Sequence, residues 1–296
     1  MSAPSFEVDG HDWPHREISG FVKVGDIQFH VQMAGDGPVL LMLHGTGAAT
    51  HSWRGLLPLL RPHFTIIAPD LPGHGFTEKP YDARLSLEGM AADITALLRE
   101  LELTPVMAVG HSAGAAILVQ MCLTCGLKLK SVVSLCGALL PLRGVSGRTF
   151  SPIAKLLALN PLVPRIVAWR ANDTASVTRL IEGTGSRIDA EGIEYYRRLT
   201  GTARHAAAAL AMMANWQLEP LRRQLGTLEA HLLLVAAERD RAVTPDTARR
   251  VHRLVANSRV ICIKDRGHLV HEEDPCQIAQ IIRDEAITHR VLSPVF

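Results

Sequence analysis

The sequence predicts an α/β protein with a mostly parallel central sheet, flanking helices and a helical insert after the sixth strand. Two observations lead to this fold class. Short β-like runs alternate with helical runs in both terminal parts of the 296-residue chain, which is the pattern of parallel strands joined by crossover helices. Between residues 141 and 226 the strand-like runs stop, and Pro-interrupted segments rich in Ala, Leu and Arg replace them.

Each predicted element follows from local patterning. The first two strand-like runs flank Gly25-Asp26 and predict a hairpin, whereas later strands are continuous apolar runs expected for burial on both faces. We place strands at 18–24, 27–33, 39–43, 64–68, 106–109, 131–135, 232–235 and 260–263, and helices at 50–60, 86–103, 115–123 and 274–288. The chain then divides into a core of residues 1–140 and 227–296 and a cap of residues 141–226.

Composition restricts the classes of function. Hydrophobic residues make up 47% of the chain and the net charge is +2, so we predict a globular protein that does not bind nucleic acid. The N-terminus lacks a signal-peptide pattern, and no apolar run reaches transmembrane length, which predicts a cytoplasmic protein. No metal-ligand spacing or dinucleotide fingerprint stands out, so we predict no cofactor and no metal.

Charge is unevenly distributed along the chain. The cap carries 12 Lys and Arg against 6 Asp and Glu, which is typical of a solvated basic face or of a surface that meets an acidic partner or an anionic membrane. Five scattered cysteines favour the reduced state. Cys122 and Cys125 form a C-x-x-C late in a predicted helix, whereas redox pairs of this type begin a helix, so we interpret them as structural.

The stretch VGHSAGA at residues 109–115 raises the question of a nucleophile. Ser112 follows a predicted strand and precedes a predicted helix, and Gly110 and Gly114 relieve crowding in such a tight turn. This order places a serine at the carboxyl edge of the sheet, where α/β proteins bind ligands. A helix N-terminus also directs backbone N–H groups at developing negative charge.

A serine hydroxyl needs a base, and the base needs an orienting acid. His268 lies in a glycine-containing loop after a predicted strand, at the same sheet edge as Ser112; His271 is the alternative, which we interpret as an outer residue near the last helix. Asp240 follows the preceding strand and is the predicted acid. The fallback acids are Asp246 and Glu238, and Asp265 is expected to point elsewhere. The chain order is then Ser112, Asp240, His268.

A developing oxyanion requires two donors. The first is the backbone N–H of Ala113, directly after the nucleophile. The second is assigned to the N–H of Thr46 in the glycine-rich loop HGTGA after residues 39–43, with Gly47 as the alternative. Glycine-rich turns are common in α/β proteins, and this one gains significance from its position before the serine turn.

At this point the motifs form a recognisable set. HGTGA, DLPGHG, GHSAGA, ERDRAVTP and RGHLVHEEDP together resemble the α/β-hydrolase fold superfamily over essentially the whole chain, with residues 141–226 as the cap. Haloalkane dehalogenases and epoxide hydrolases look similar but use aspartate where this chain has Ser112. The resemblance therefore implies esterase, thioesterase, amidase or C–C bond hydrolase chemistry.

A narrower resemblance involves segments of core and cap, and the cap segments weigh most. DWPHRE, GMAADITALL, MMANWQLEPL, GHLVHEEDP and the cap segment EGTGSRIDAEG look like the magnesium-chelatase accessory proteins of bacteriochlorophyll biosynthesis. This resemblance implies a role near magnesium insertion into protoporphyrin, and it names magnesium-chelatase subunits as candidate partners. Any magnesium would belong to the substrate pathway.

The cap offers candidates for a substrate pocket. Its arginines suit propionate carboxylates, and a hydrophobic substrate, such as a tetrapyrrole, would need apolar lining; the same side chains could also simply pack the cap on the core. The predicted pocket residues are Trp169, Tyr196, Met212, Met213 and Trp216. His205 is more typical of a structural histidine than of an axial ligand for a metalloporphyrin.

Three hypotheses for function follow. The first is a serine hydrolase that cleaves an ester or related acyl bond of a hydrophobic substrate near the magnesium-chelatase step. The second is a non-catalytic accessory protein that binds a porphyrin. The third is a C–C bond hydrolase. Peripheral membrane contact through the basic cap is compatible with each.

Overall fold

The computed structural model describes residues 3–141, 160 and 162–293. An eight-stranded sheet forms its centre, in the order β1-β2-β4-β3-β5-β6-β7-β8. β1 and β2 form an antiparallel hairpin and β2 pairs antiparallel to β4, whereas all later pairs are parallel. The strands are β1 Ser19–Val24, β2 Ile27–Ala34, β3 Val39–Leu43, β4 Thr65–Pro69, β5 Met107–His111, β6 Ser131–Leu135, β7 His231–Ala237 and β8 Ser258–Ile263. This confirms the predicted fold class.

Helices cover both faces of the sheet. In the core they are α1 Leu57–Leu60, α2 Leu87–Glu100, α3 Ala113–Thr124, α9 Pro245–His252, α10 Val270–Glu273 and α11 Pro275–Thr288. Successive strand residues point to opposite faces: Leu41 packs with α2 and α3, whereas Leu40 and Met42 pack with α1 and α11. Both faces are therefore dry, which explains the continuous apolar runs of the strands. In the described ranges, no helix is long and apolar enough to cross a membrane.

The region between β6 and β7 is helical where it is described. It contains α4 Leu162–Ala171, α5 Thr174–Gly183, α6 Ala190–Thr200, α7 Ala203–Asn215 and α8 Glu219–Gln224. Apolar contacts join this region to the core, since Tyr195 and Leu199 pack with Trp13 and Ala49. The predicted cap boundaries at 141 and 226 include residues 142–159 and 161, which lie outside the described residues.

Two local predictions differ from the structure in an instructive way. The stretch at 50–60 is not one helix: a 3₁₀ turn covers Thr50–Trp53, and α1 begins at Leu57 with proline in its first turn. Proline lacks the N–H that an uninterrupted helix would need there. The predicted helix at 86–103 ends earlier, at Glu100, and Ser86 caps its start by accepting the N–H of Gly89 at 3.2 Å.

Asp70 joins the loops that follow β3 and β4 to strand β2. Its Oδ1 accepts the N–H of Thr50 at 2.7 Å, and its Oδ2 accepts the N–H of Phe76 at 2.9 Å and Nδ1–H of His30 at 2.8 Å. The carboxylate is fully buried. Burial alone would raise its pKa, but His30 and these backbone donors hold the pKa of Asp70 far below its usual range. A buried charge is tolerated here because every face of the carboxylate is satisfied.

We expect Asp70→Ala to lower the free energy of unfolding by about 3–5 kcal/mol, because it leaves buried donors without an acceptor. Chemical denaturation monitored by circular dichroism measures the change. Glu219→Ala is the matched control: its carboxylate pairs with Arg222 on an exposed helix face, and a change below about 0.5 kcal/mol is expected. Equal losses in both variants would contradict the role assigned to Asp70.

Candidate active site

Ser112 occupies a strained turn between β5 and α3. Its backbone has φ 50° and ψ −113°, a conformation that non-glycine residues rarely adopt. Its N–H donates to the carbonyl of Leu135 at 3.0 Å, and its own carbonyl accepts the N–H of Ala138 at 3.0 Å. The turn is thus fastened on both sides to the end of β6. Ser112 lies at the carboxyl edge of the sheet with its side chain partly exposed.

Glycine is required where the turn meets its surroundings. A Cβ on Gly110 would lie 2.5 Å from the amide nitrogen of Ala115, and one on Gly114 would lie 2.1 Å from the carbonyl oxygen of Leu43. A Cβ on Gly45 would lie 3.1 Å from the Cβ of Ser112. These approaches bring the first turn of α3, the end of β3 and the serine together within van der Waals contact.

The predicted base and acid lie together. Nδ1 of His268 is 2.8 Å from Oδ2 of Asp240, in a pair that is almost completely buried. Since an ionised carboxylate only accepts, the ring presents its N–H at Nδ1 and leaves Nε2 as the acceptor. This tautomer is the one that a general base requires.

Asp240 is itself held by backbone donors. Its Oδ1 accepts the N–H groups of Ala242 and Val243, each at 2.8 Å. Oδ2 is therefore available for His268. The thiol of Cys136, at the end of β6, lies beside the pair, and burial followed by the nearby Asp240 charge raises the pKa of Cys136 far above its usual value. A thiol with such a pKa stays protonated and unreactive.

The loops that carry the acid and the base are tied to each other and to the cap. The N–H of Arg239 donates to the carbonyl of Arg266 at 2.8 Å. From the cap, Ser186 Oγ accepts the N–H of Leu269, directly after His268, at 2.8 Å. A Cβ on Gly267 would lie 2.3 Å from the carbonyl carbon of Gly185. Ser186 was not singled out from the sequence, because its contact is 83 residues away.

His111, directly before Ser112, contacts and supports the loop that carries His268. The ring of His111 lies 4.8 Å from that of His268 and 4.5 Å from that of His271, centroid to centroid, and its Nε2 donates to the carbonyl of His268 at 3.0 Å. Burial lowers the pKa of His111 well below its usual value. A neutral imidazole here avoids a second charge under the base.

The interpretation of His271 as an outer residue is wrong. Its side chain is fully buried between His111 and Trp53. Burial lowers the pKa of His271 to about 3, so the ring is neutral at ordinary pH. The polar neighbourhood at 272–274 suggested exposure, but α10 turns this residue inward against the core.

The predicted oxyanion loop approaches the serine turn and is held from three sides. His44 Nδ1 donates to the carbonyl of Gly45 at 2.8 Å, and its Nε2 accepts the N–H of Leu71 at 2.9 Å. Thr46 Oγ1 donates to Met212 Sδ at 3.4 Å, which joins the loop to α7 of the cap. Gly47 has φ 78°, a conformation that favours glycine. Ala113, the other predicted donor, is the first residue of α3.

His205 is a structural link between cap and core. Its Nδ1 accepts the N–H of Gly75 at 3.1 Å and its Nε2 donates to the carbonyl of Gly47 at 3.1 Å. Both ring nitrogens are thus engaged, which explains the residue without an axial-ligand role. Burial lowers the pKa of His205 to about 4.

Another link joins α6 to the core beside the base loop. The hydroxyl of Tyr196 donates to Glu272 at 2.7 Å, and Arg54 pairs with both Glu272 and the cap residue Asp189. Burial raises the pKa of Glu272 to about 7, against the opposing effect of Arg54. The ring of Tyr196 contacts His51 with centroids 4.6 Å apart.

The structure separates the predicted pocket residues into two groups. Met212 is fully buried against Thr46, Tyr196 is buried, and Trp216 is partly buried against the core. Trp169 and Met213 instead expose 72% and 46% of their surface. The role of these five residues in substrate binding stays a prediction, and the geometry favours Met212 because it touches the oxyanion loop.

Comparison with known proteins agrees with this architecture. The model of the alpha/beta hydrolase family matches residues 40–281. The chain therefore belongs to the alpha/beta hydrolase family.

Two relatives and one solved structure are similar to this chain over most of its length. The chain is 38% identical to the magnesium-chelatase 30 kDa subunit of Rhodobacter capsulatus, over 88% of this chain and 92% of that protein. It is 26% identical to a pyrrolizixenacetamide deacetylase of Xenorhabdus hominickii, over 91% and 98% respectively. A solved lipase-like protein of Acinetobacter baumannii superposes with a TM-score of 0.78 at 18% identity, covering 98% of each chain, and this likeness concerns the fold alone.

We expect His205→Gln to flatten the pH dependence of stability between pH 6.5 and about 4. The folded-state pKa of His205 lies below its usual 6.5, so its contribution is present above 6.5 and is lost as the pH falls toward 4, by up to about 1.4 kcal/mol per pH unit. Denaturant titrations at several pH values measure this slope. His252→Gln, at an exposed histidine, serves as control, and parallel profiles for wild type and His205→Gln would contradict the assignment.

Proposed function

We propose that the chain is a serine hydrolase that cleaves an ester or related acyl bond of a hydrophobic substrate. Ser112 is the nucleophile, His268 the base and Asp240 the acid. The observation that carries the proposal is the buried 2.8 Å hydrogen bond between His268 and Asp240, at the sheet edge where Ser112 lies on its strained turn. Family membership supports hydrolysis as the class of reaction.

The proposed reaction has two stages, acylation of Ser112 and hydrolysis of the acyl-serine. His268 Nε2 takes the proton from Ser112 as Oγ attacks the carbonyl carbon, and the imidazolium then protonates the leaving group. Asp240 stabilises the imidazolium through Nδ1–H. Water, activated by the same histidine, hydrolyses the acyl-serine. The neutral rings of His111 and His271 place no competing positive charge beside His268.

The developing oxyanion is assigned to the N–H groups of Thr46 and Ala113. Ala113 begins α3, so its N–H belongs to the positive end of a helix dipole. The Thr46 loop is held by His44, His205 and Met212. Rigid donors stabilise a transition state more than mobile ones because they need no reorganisation.

The pathway is inferred from the Rhodobacter relative. That relative is named as a magnesium-chelatase subunit, and we infer a role near that step of bacteriochlorophyll biosynthesis, in the cytoplasm, with a tetrapyrrole ester as the candidate substrate. Chelatase subunits are the candidate partners, and the basic cap is the candidate surface for peripheral membrane contact. Hydrolysis of a C–C bond is the alternative reaction, since the same three residues serve it.

We expect Ser112→Ala to lower hydrolysis of a short p-nitrophenyl ester by roughly 10⁴-fold or more, and Asp240→Asn by a comparable factor through the wrong tautomer of His268. Initial rates measure both effects, and a fluorophosphonate probe followed by peptide mapping identifies the labelled serine. A screen of porphyrin methyl esters, acyl thioesters and vinylogous diketones then separates acyl from C–C bond substrates.

Asp265→Asn is the matched control, because Asp265 lies three residues before His268 but its carboxylate pairs with Arg239 at the surface. Its activity should stay within about twofold of wild type, as expected for an exposed ion pair. Equal ester hydrolysis by wild type and Ser112→Ala, or labelling at another residue, would refute the catalytic proposal.

A second candidate function is that of a porphyrin-binding accessory protein. One observation favours it: α4 turns Leu162, Ile166 and Trp169 to solvent, with 55%, 55% and 72% of their surfaces exposed. Arg165 and Arg170 lie on the same helix. A flat apolar macrocycle with two propionates would cover such a face and pair with its guanidinium groups.

Titration with protoporphyrin should quench tryptophan fluorescence equally in wild type and Ser112→Ala, because pigment binding on α4 does not involve the serine. Trp169→Ala should weaken binding about tenfold, since it removes a large exposed aromatic contact. Phe21→Ala, at an exposed aromatic on β1, is the control. Absence of quenching at micromolar pigment, after inner-filter correction, would exclude this function.

A further inference from the structure

A second cluster of ligating groups lies at the opposite edge of the sheet from Ser112. It consists of His231, the first residue of β7, together with Glu285 near the end of α11 and His289 directly after it. Since β7 spans seven residues before the acid loop begins, the cluster is about 20 Å from the catalytic edge. None of its members takes part in the proposed hydrolysis.

Three donor atoms converge in this cluster. His231 Nδ1 is 2.6 Å and His289 Nε2 is 3.2 Å from the same carboxylate oxygen, Oε1 of Glu285. The two imidazoles stack, with centroids 4.3 Å apart and planes at 29°. The nitrogen and oxygen atoms all lie within 4.8 Å of one another. The carboxylate is fully buried, whereas both histidines reach the surface.

Hydrogen bonding alone leaves this oxygen overcrowded. Ser131 Oγ and His231 Nδ1 each donate to Oε1 at 2.6 Å and fill its two lone pairs, so Nε2 of His289, 3.2 Å away, has no lone pair left to donate to. A cation at the point where the three donor atoms converge removes the crowding. Each neutral imidazole then carries its proton on the other nitrogen and directs a lone pair at the metal, while Ser131 keeps its bond to the bound carboxylate.

We propose that His231, Glu285 and His289 form a binding site for a divalent transition metal of the Zn²⁺ type. Two imidazole nitrogens and one carboxylate oxygen are a donor set that Zn²⁺ accepts, with water completing four-coordination on the exposed side. The guanidinium of Arg259 does not occupy the position: it pairs with the other oxygen, Oε2, at 3.2 Å and its side chain is 53% exposed. Arg259 can therefore move outward, which reduces its repulsion with the metal charge.

The bound metal would fasten the last helix to the sheet. Glu285 and His289 are four residues apart, on one face of α11 and its C-terminal end, while His231 and Ser131 begin neighbouring strands. A ligand that binds only the folded state stabilises it by mass action. The site is therefore structural, and its occupancy should not change the chemistry at Ser112.

The test uses untagged protein dialysed against a chelator. Isothermal titration with Zn²⁺ should show one site per chain, and Co²⁺ should give the visible bands of a four-coordinate N/O complex. Zn²⁺ at about 100-fold above its dissociation constant should raise the thermal midpoint by about 5 °C. His289→Asn and His231→Asn should each weaken Zn²⁺ binding by at least about tenfold.

His252→Asn is the control, because this histidine is exposed on α9 and its ring bonds Ser258 instead. It should bind Zn²⁺ as wild type does. Unchanged circular dichroism and unchanged esterase rate establish that the His289 and His231 variants are folded. The proposal is overturned if metal-free wild type binds no Zn²⁺ at micromolar concentration, if both variants bind it as wild type does, or if the Co²⁺ complex shows thiolate charge-transfer bands from cysteine.

Discussion

Close backbone packing at the turn between β5 and α3 is the constraint on which the site depends. The first turn of α3 lies against the end of β3, and Gly114 permits this because a Cβ there would lie 2.1 Å from the carbonyl of Leu43. The strained backbone of Ser112 persists because the end of β6 holds it on both sides. The predicted oxyanion loop, the serine and the helix N-terminus are consequently parts of one packed unit.

Several histidines in and around this unit are buried and uncharged. His44, His111, His205 and His271 are all buried, and burial lowers the pKa of each. Both ring nitrogens of His44 and His205 hydrogen bond to loop backbone, and His111 donates to the carbonyl of His268, so neutral rings fasten these loops without a charge that would need compensation. His268 differs in its contact, since its Nδ1 hydrogen bonds to the buried carboxylate of Asp240 at 2.8 Å.

The helical cap contributes to the candidate site through backbone contacts as well as through its apolar side chains. Ser186 binds the base loop, Gly185 packs against Gly267, and Thr184 accepts the N–H of Arg241 in the acid loop. One short cap segment therefore touches the loops of both His268 and Asp240. These contacts hold the His268 and Asp240 loops against the same cap segment.

The sequence by itself determined the fold class and the positions of the strands along the chain, and it named the candidate triad, because these depend on local periodicity and on the position of polar residues at strand ends. It did not reveal that His271 is buried, that Trp169 is exposed, or that Ser186 holds the base loop. Only the tertiary structure decided these points. A helix face is set by what packs against it, and contacts between residues far apart in the chain, such as that of His231 with Glu285, leave no spacing in the sequence to detect.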